Sequence, residues 1–315
     1  MNTLYIDRKH THLKVVSNTL ELREKEQLRQ RIPLNLLRHM VIIGHVETDT
    51  GSLGALAAAQ VSVALLSGRQ HRHRAMLLGP LRHPATRRLA QYRACIRADL
   101  CAVLARAMLL RKLAGQQRLL QQALRLRPDQ RYALRKGIDS LRGIRRRLAD
   151  EELSVAEMRG LEGAAAAGYF QAWKVLLPPD LGFSARRRRP PPDPVNAALS
   201  LGYTLLYGEA VKAAHGAGLD PALGCLHEPM HGRDSLAADL MEPLRPRLDA
   251  RVWRMFAERR LSGADFHARD GGYWLNKKGR ALFFAEYETV ARPARRWLRL
   301  MLHALLKQLE QYADE

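Results

Sequence analysis

Short apolar runs open the chain, and longer, helically spaced ones fill the rest of it. TLYID, HLKVV, TLELRE, HMVIIG and VSVALL are β-branched or alternating stretches set apart by polar and turn residues, and they predict strands within residues 1–79. GSLGALAAAQ, between the last two, predicts one short helix. From about residue 80 the pattern changes. Residues 86–127 carry apolar side chains at helical spacing with arginines between them, which predicts a helical segment ending at Pro128 and Asp129. A second basic helix follows over 129–148. Ser154 and Glu157 stand at the spacing of a capping box, so a third helix starts there and runs to about residue 177, where Pro178 and Pro179 stop it. SARRRRPPPDP, 184–194, fits neither a helix nor a central strand and predicts an exposed, mobile loop. Helical patterns resume at 195–216, 235–244, 250–258 and 282–312. The fold class expected is α+β, with a small β-rich N-terminal domain (1–79) and a larger all-α domain (80–315).

Charge sharpens this outline. The 315 residues carry a formal net charge of +21, mostly from arginine, which favours a polyanionic partner through phosphate neutralisation. A GC-rich genome would explain arginine in place of lysine, but not the net excess. Cys95, Cys101 and Cys225 form no CxxC pair, and their odd number argues for structural thiols in a reducing cytosol. The N-terminus reaches charge at once, and the Ala-rich stretches at 53–66 and 164–167 are too short or interrupted to span a bilayer. A soluble, cytoplasmic protein with no membrane partner is expected.

The candidate chemistry concentrates in GCLHEPMHGRDSLAADLMEPLRP, 224–246. Asp239 and Glu242 are three apart, so a helix projects both carboxylates from one face, near enough to share a cation. The turn around Pro229 and Gly232 can fold His227 back toward them. One histidine with carboxylates suits Mg²⁺ or Mn²⁺ with open positions for water and phosphate. The competing reading is a solvated acidic face paired with Arg233 and Arg245, although two acids in an otherwise apolar run are costly to bury unpaired. HEPMH, 227–231, matches a zinc-protease pattern, but that motif needs one uninterrupted helix, and Pro229 and Gly232 break it. Glu162, in RGLEGAAAAGYF, reads by spacing alone as an exposed helix residue unless the fold brings it to His227. The run Arg186, Arg187, Arg188 and Arg189 can grip phosphates, as can Lys277, Lys278 and Arg280. Tyr169, Phe170, Tyr203 and Tyr207 lie on helices near the candidate site; most belong to the core, and one or two, Tyr203 among them, are placed to stack on an unpaired base.

Four stretches together resemble a known family: RRLAQYRA (87–94), LEGAAAAGYF (161–170), RRPPPDPVNAALSLGYTLLYGE (188–209) and the 224–246 segment. The chain resembles the CRISPR-associated adaptation integrase and endonuclease family, the first-numbered Cas protein, which inserts new spacers into CRISPR arrays. The resemblance implies a metal triad on Glu162, His227 and Glu242, with Asp239 as a nearby extra acid. It also implies a homodimer, bridged by a small ferredoxin-like partner, the second-numbered Cas protein, and acting on DNA, namely prespacer and CRISPR repeat. The N-terminal domain would then serve dimerisation and the helical domain catalysis. One departure is visible: LLRKLAGQQRLL has Gly115 where the family pattern leads one to expect Asn before the Gln.

The residues suit metal-dependent chemistry at a phosphodiester, and the resemblance implies phosphoryl transfer in which a prespacer 3′-hydroxyl attacks, with water in its place giving nuclease activity. Arg233, Arg245 and Lys278 are candidates for positioning phosphate. The alternative is a non-catalytic, arginine-rich nucleic-acid-binding scaffold.

Overall fold

The polypeptide divides into two compact units, Met1–Arg82 and His83–Glu315. The computed structural model describes residues 3–8, 10–25, 27–68, 70–187 and 189–311. Among these residues no helix is long and apolar enough to cross a membrane.

The first unit is built from two four-stranded sheets. Strands β1 (Thr3–Ile6), β5 (His39–Ile43), β7 (Ser62–Leu66) and β8 (His73–Leu77) lie in that order, the first three parallel and β8 antiparallel to β7. Strands β4 (Gln27–Pro33), β3 (Thr19–Glu24), β2 (Thr11–Val16) and β6 (Val46–Thr48) form the second sheet. HMVII makes a wholly buried central strand, as a continuous apolar run between parallel neighbours should. Ser17 and Asn18 both have positive φ, 48° and 58°, which closes the β2–β3 hairpin in the twist that two-residue turns favour. Leu4, Met40 and Val63 from one sheet share a core with Leu13, Leu20 and Ile32 from the other. Helix α1 (Thr50–Ala58) lies on the β5-to-β7 connection, and Asp49 caps it through Ser52 N at 2.6 Å. Strands β4, β6 and β8 are additions to the five runs legible in the sequence. β4 is almost entirely exposed, so no apolar alternation marks it.

The second unit is largely helical. The apolar pattern over 86–127 resolves into two helices, α2 (Thr86–Cys95) and α3 (Ala98–Leu126), because Arg97 turns extended. Polar contacts from α2 to a distant loop supply the reason: Gln91 Nε2 donates to the carbonyls of Asp220 and Leu223 at 2.9 and 2.8 Å. A periodicity that resumes after two residues hides such a break. Next come α4 (Arg131–Asp150) and α5 (Val155–Trp173). The capping box of α5 forms as its spacing predicts, with Ser154 N donating to Glu157 Oε2 at 2.8 Å. Helix α6 (Pro194–Gly216) is the buried centre of the unit and packs against α7 (Ser235–Met241), α8 (Arg245–Ala257) and α9 (Lys277–Glu310).

Two features depart from an all-helical expectation with a mobile loop. Strands β9 (Phe266–Arg269) and β10 (Gly272–Leu275) form a hairpin closed by Asp270 and Gly271, both at positive φ. The Arg- and Pro-rich loop is pinned by the fully buried Asn196. Its side-chain oxygen accepts from Arg186 Nη1 and Arg187 N, and its amide donates to Ala185 O and Asp193 Oδ2.

Helix α3 passes close to the turn between α7 and α8. A Cβ built on Gly115 would lie 3.0 Å from Pro246 Cγ, so glycine permits this approach.

Candidate active site

Three segments converge on one buried ammonium. Helix α3 contributes Lys112, α5 contributes Glu162, and the tight turn Glu242–Leu244 after α7 contributes Glu242. Lys112 Nζ donates to Glu162 Oε1 and lies 2.6 Å from Glu242 Oε2. Arg245 Nε, at the start of α8, sits 2.8 Å from the other Glu242 oxygen. The Lys112 and Glu242 side chains are only 6% and 3% exposed, whereas Glu162 retains 28%. Burial alone would raise the Glu242 carboxyl. The charges of Arg245 and Lys112, with His227 contributing less, overcome that and hold it at about 2. Glu242 Oε2 meets the ammonium as an ion pair but completes no hydrogen bond, an unsatisfied buried acceptor.

Beside the cluster lies a cleft of about 360 Å³ whose lining includes Lys112, Glu162, Phe170, Arg186, Tyr203 and Arg245. Two guanidiniums flank the Tyr203 ring, Arg245 at 4.4 Å and Arg186 at 5.3 Å from its centroid. The Tyr203 hydroxyl donates to Asp249 Oδ1, and the Tyr169 hydroxyl to Asp249 Oδ2 at 3.0 Å. Burial pushes the Asp249 carboxyl up to about 6 against the opposing pull of these hydroxyls and of Arg245 and Arg186.

A second cluster holds the histidine. Asp239, fully buried, accepts from the backbone N–H groups of Cys225, Leu226 and His227 at 2.7, 2.9 and 3.0 Å. His227 Nδ1 lies 2.6 Å from Asp239 Oδ1, close enough for its N–H to donate to that carboxylate and fix the orientation of the ring. Gly224 opens this nest, because a Cβ there would come within 2.5 Å of Asp239 Oδ2. The thiols of Cys95, Cys101 and Cys225, all free, pack against one another where α2 and α3 meet this loop.

The segment His227–His231 is not helical. Met230 and Arg233 pair across a turn with Gly232 at φ 73°, and His231 is exposed, so the zinc-protease pattern has no helix to act on. Among the described residues, no three His, Cys, Asp or Glu side chains form a ready-made ligand set. The donor chemistry nevertheless suits a hard divalent ion: two carboxylates already share one cation, one buried oxygen lacks a hydrogen bond, and an imidazole oriented through Nδ1 stands nearby.

The family model described as CRISPR associated protein Cas1 matches residues 4–289. The chain belongs to the Cas1 family. A protein named CRISPR-associated endonuclease Cas1 1 from Thermodesulfovibrio yellowstonii is 33% identical over 290 residues, covering 91% of each chain. One of the same name from Thermus thermophilus is 34% identical over 290 residues, covering 91% of this chain and 85% of its own. A solved Cas1 protein from Thermotoga maritima has a TM-score of 0.86 at 25% identity, covering 98% of this chain and 97% of that one. A casposase bound to integration product shares the fold, with a TM-score of 0.83 at 21% identity, covering 98% and 91%.

Within this Cas1 fold the expected site residues separate. Glu162 and Glu242 come together through Lys112, while His227 is tied to Asp239. Asp239, expected as a secondary metal ligand, has its oxygens engaged by three backbone N–H groups and the His227 ring. Arg186, Tyr203 and Arg245 line the cleft. Arg233 is not in that lining; its guanidinium donates to the Glu228 carbonyl. Among the described residues, Arg187, Arg189 and Lys278 are exposed, and their side chains make no hydrogen bond or ion pair. Arg188 lies outside the described residues. Tyr169 is core, and Tyr207 is engaged with Asp234 at 2.8 Å. Sequence reasoning missed Lys112 and Asp249. The available signal was a charged residue on a buried helical stripe: Leu109, Lys112, Leu113, Gln116 and Leu120 all face inward on α3.

Proposed function

We propose that this chain is a divalent-metal-dependent DNA endonuclease and integrase of CRISPR adaptation, which joins a prespacer 3′-hydroxyl to a phosphodiester of the repeat. The observation that carries the reading is the convergence of Glu162 and Glu242 on one cation beside a cleft walled by Arg186 and Arg245. Glu162, His227 and Glu242 would hold Mg²⁺ or Mn²⁺, which supplies Lewis-acid stabilisation of charge developing on the phosphate and eases deprotonation of the attacking hydroxyl. The chain's own residues do the positioning. Arg245 and Arg186, fixed against Tyr203, present guanidiniums to a phosphate entering the cleft. Asp239 keeps the imidazole of His227 in one orientation. No side-chain nucleophile is required, and neither buried tyrosine hydroxyl is available as one, since both are committed to Asp249.

Glu162→Ala and His227→Ala, assayed on branched DNA with Mn²⁺, are expected to lose turnover by on the order of 100-fold or more while retaining DNA binding. Unchanged turnover with intact binding would overturn the reading and leave a DNA-binding scaffold. The relatives named endonucleases support the activity. A solved assembly titled Cas6-RT-Cas1–Cas2 complex shares the fold, with a TM-score of 0.84 at 20% identity, and covers 99% of this chain and 35% of that one. That assembly supports a Cas2 partner for this chain; we further propose a homodimer, formed through the N-terminal unit and bridged by that small ferredoxin-like protein. Light scattering on the purified chain, with and without that partner, should give a dimer and then a larger complex; a monomer under both conditions rejects this assembly.

A further inference from the structure

Lys112 has no role in the chemistry just described, yet it is the most deeply placed cation of the cluster. An ammonium is withdrawn from water only where carboxylates compensate it, and here two do so from separate segments, α5 and the turn after α7. Resting on the metal-site reading above, we propose that Lys112 is the resident counter-ion of the ligand carboxylates: its ammonium holds Glu162 and Glu242 together until a divalent ion displaces it into the cleft.

Three observations carry this. First, the two cations compete for one oxygen. Lys112 Nζ stands 2.6 Å from Glu242 Oε2, and an Mg²⁺ or Mn²⁺ ion on the same oxygen would sit about 2.1 Å from it. Two cations that close repel strongly in a site with little water. Second, Lys112 is the cation able to leave. Arg245 is anchored on Glu242 Oε1 and stacked on Tyr203, whereas a lysine ends in a point charge on a flexible stem. Third, there is somewhere to go, because Lys112 lines the 360 Å³ cleft together with Arg186 and Arg245. The displaced ammonium would join those guanidiniums around a phosphate. Ion loading and DNA binding therefore reinforce each other: the ion frees a phosphate-binding charge, and the phosphate keeps that charge out of the ion's place.

The test is Mn²⁺ affinity of the whole chain without DNA, read by electron paramagnetic resonance of free Mn²⁺. Lys112→Met is expected to bind Mn²⁺ about tenfold more tightly than the parent, since one competing positive charge is gone. It should also melt at a lower temperature without metal and recover with Mn²⁺. Lys112→Gln, which keeps hydrogen-bonding capacity without charge, gives the same affinity readout if the methionine variant folds poorly. Adding a short DNA duplex should tighten Mn²⁺ binding in the parent and do so less in either variant. Equal or weaker Mn²⁺ affinity in both variants overturns the inference. Glu162→Ala separates the two levels. If the parent binds Mn²⁺ and Glu162→Ala does not, the metal reading stands and Lys112 alone is judged; if Glu162→Ala binds as well as the parent, both readings fall.

Discussion

Asp239 and Glu242 lie three residues apart on one buried turn, and they are neutralised in opposite ways. Asp239 is met by three backbone N–H groups and an imidazole, Glu242 by the side-chain cations of Lys112, on a flexible stem, and of Arg245, stacked on Tyr203. Backbone donors cannot withdraw without unfolding the loop that bears them. The Lys112 ammonium can, because rotation about a few bonds moves it. The acid bound by backbone is therefore committed to shape, and the acid bound by side chains is free to exchange partners. Asp249 makes a third case, met by two tyrosine hydroxyls that share hydrogen bonds but bring no charge.

The largest effect expected from this contrast is at Asp239. Asp239→Ala should cost about 5 kcal/mol in urea unfolding, since it strands several buried donors at once. A loss below about 1 kcal/mol would erase the distinction between the two acids. Glu242→Gln should cost less, about 3 kcal/mol, because the amide keeps the shape and a dipole beside Lys112 and Arg245 while the two cations lose their counter-charge. The same variant should weaken Mn²⁺ binding, whereas its loop donors to Asp239 should keep their amide-exchange protection. The smallest effect is a pH dependence from Asp249. Its folded value, about 6, exceeds the ordinary 3.8. The folded state therefore binds the proton more tightly, and this contribution to stability is complete below about 3.8 and lost as pH rises through about 6. The stability difference between the parent and Asp249→Asn should fall across that window by on the order of 2 kcal/mol. A flat difference would mean that the tyrosine hydroxyls already compensate the charge.

Much of this arrangement was legible before any coordinates. The Ser154–Glu157 spacing carries its own geometry, and five strands of the first unit announce themselves because one face or both faces are apolar. β4 and β8 did not, since strands whose residues face solvent have no apolar rhythm to show. The division between α2 and α3 depends on Gln91 reaching a loop some 130 positions away, which no local pattern records. At the site, spacing placed Asp239 and Glu242 on one turn but could not say which donors each would meet. Lys112 was overlooked because a lysine among arginines on a basic helix reads as surface; only its register on the buried stripe gave it away. The loop bearing Arg186 read as mobile because its anchor, Asn196, belongs to the following helix.

Gly115 has a consequence for how such a chain can drift. A side chain there would press on Pro246, the second residue of α8, just past Arg245 and the turn that carries Glu242. The missing Cβ thus sets how near α3 comes to that turn, and with it whether Lys112 can reach Glu242. Positions 115 and 246 should be inherited as a pair: a lineage that acquires asparagine at the first must accept a smaller or displaced residue at the second. Anyone transplanting this corner into another backbone would have to carry both.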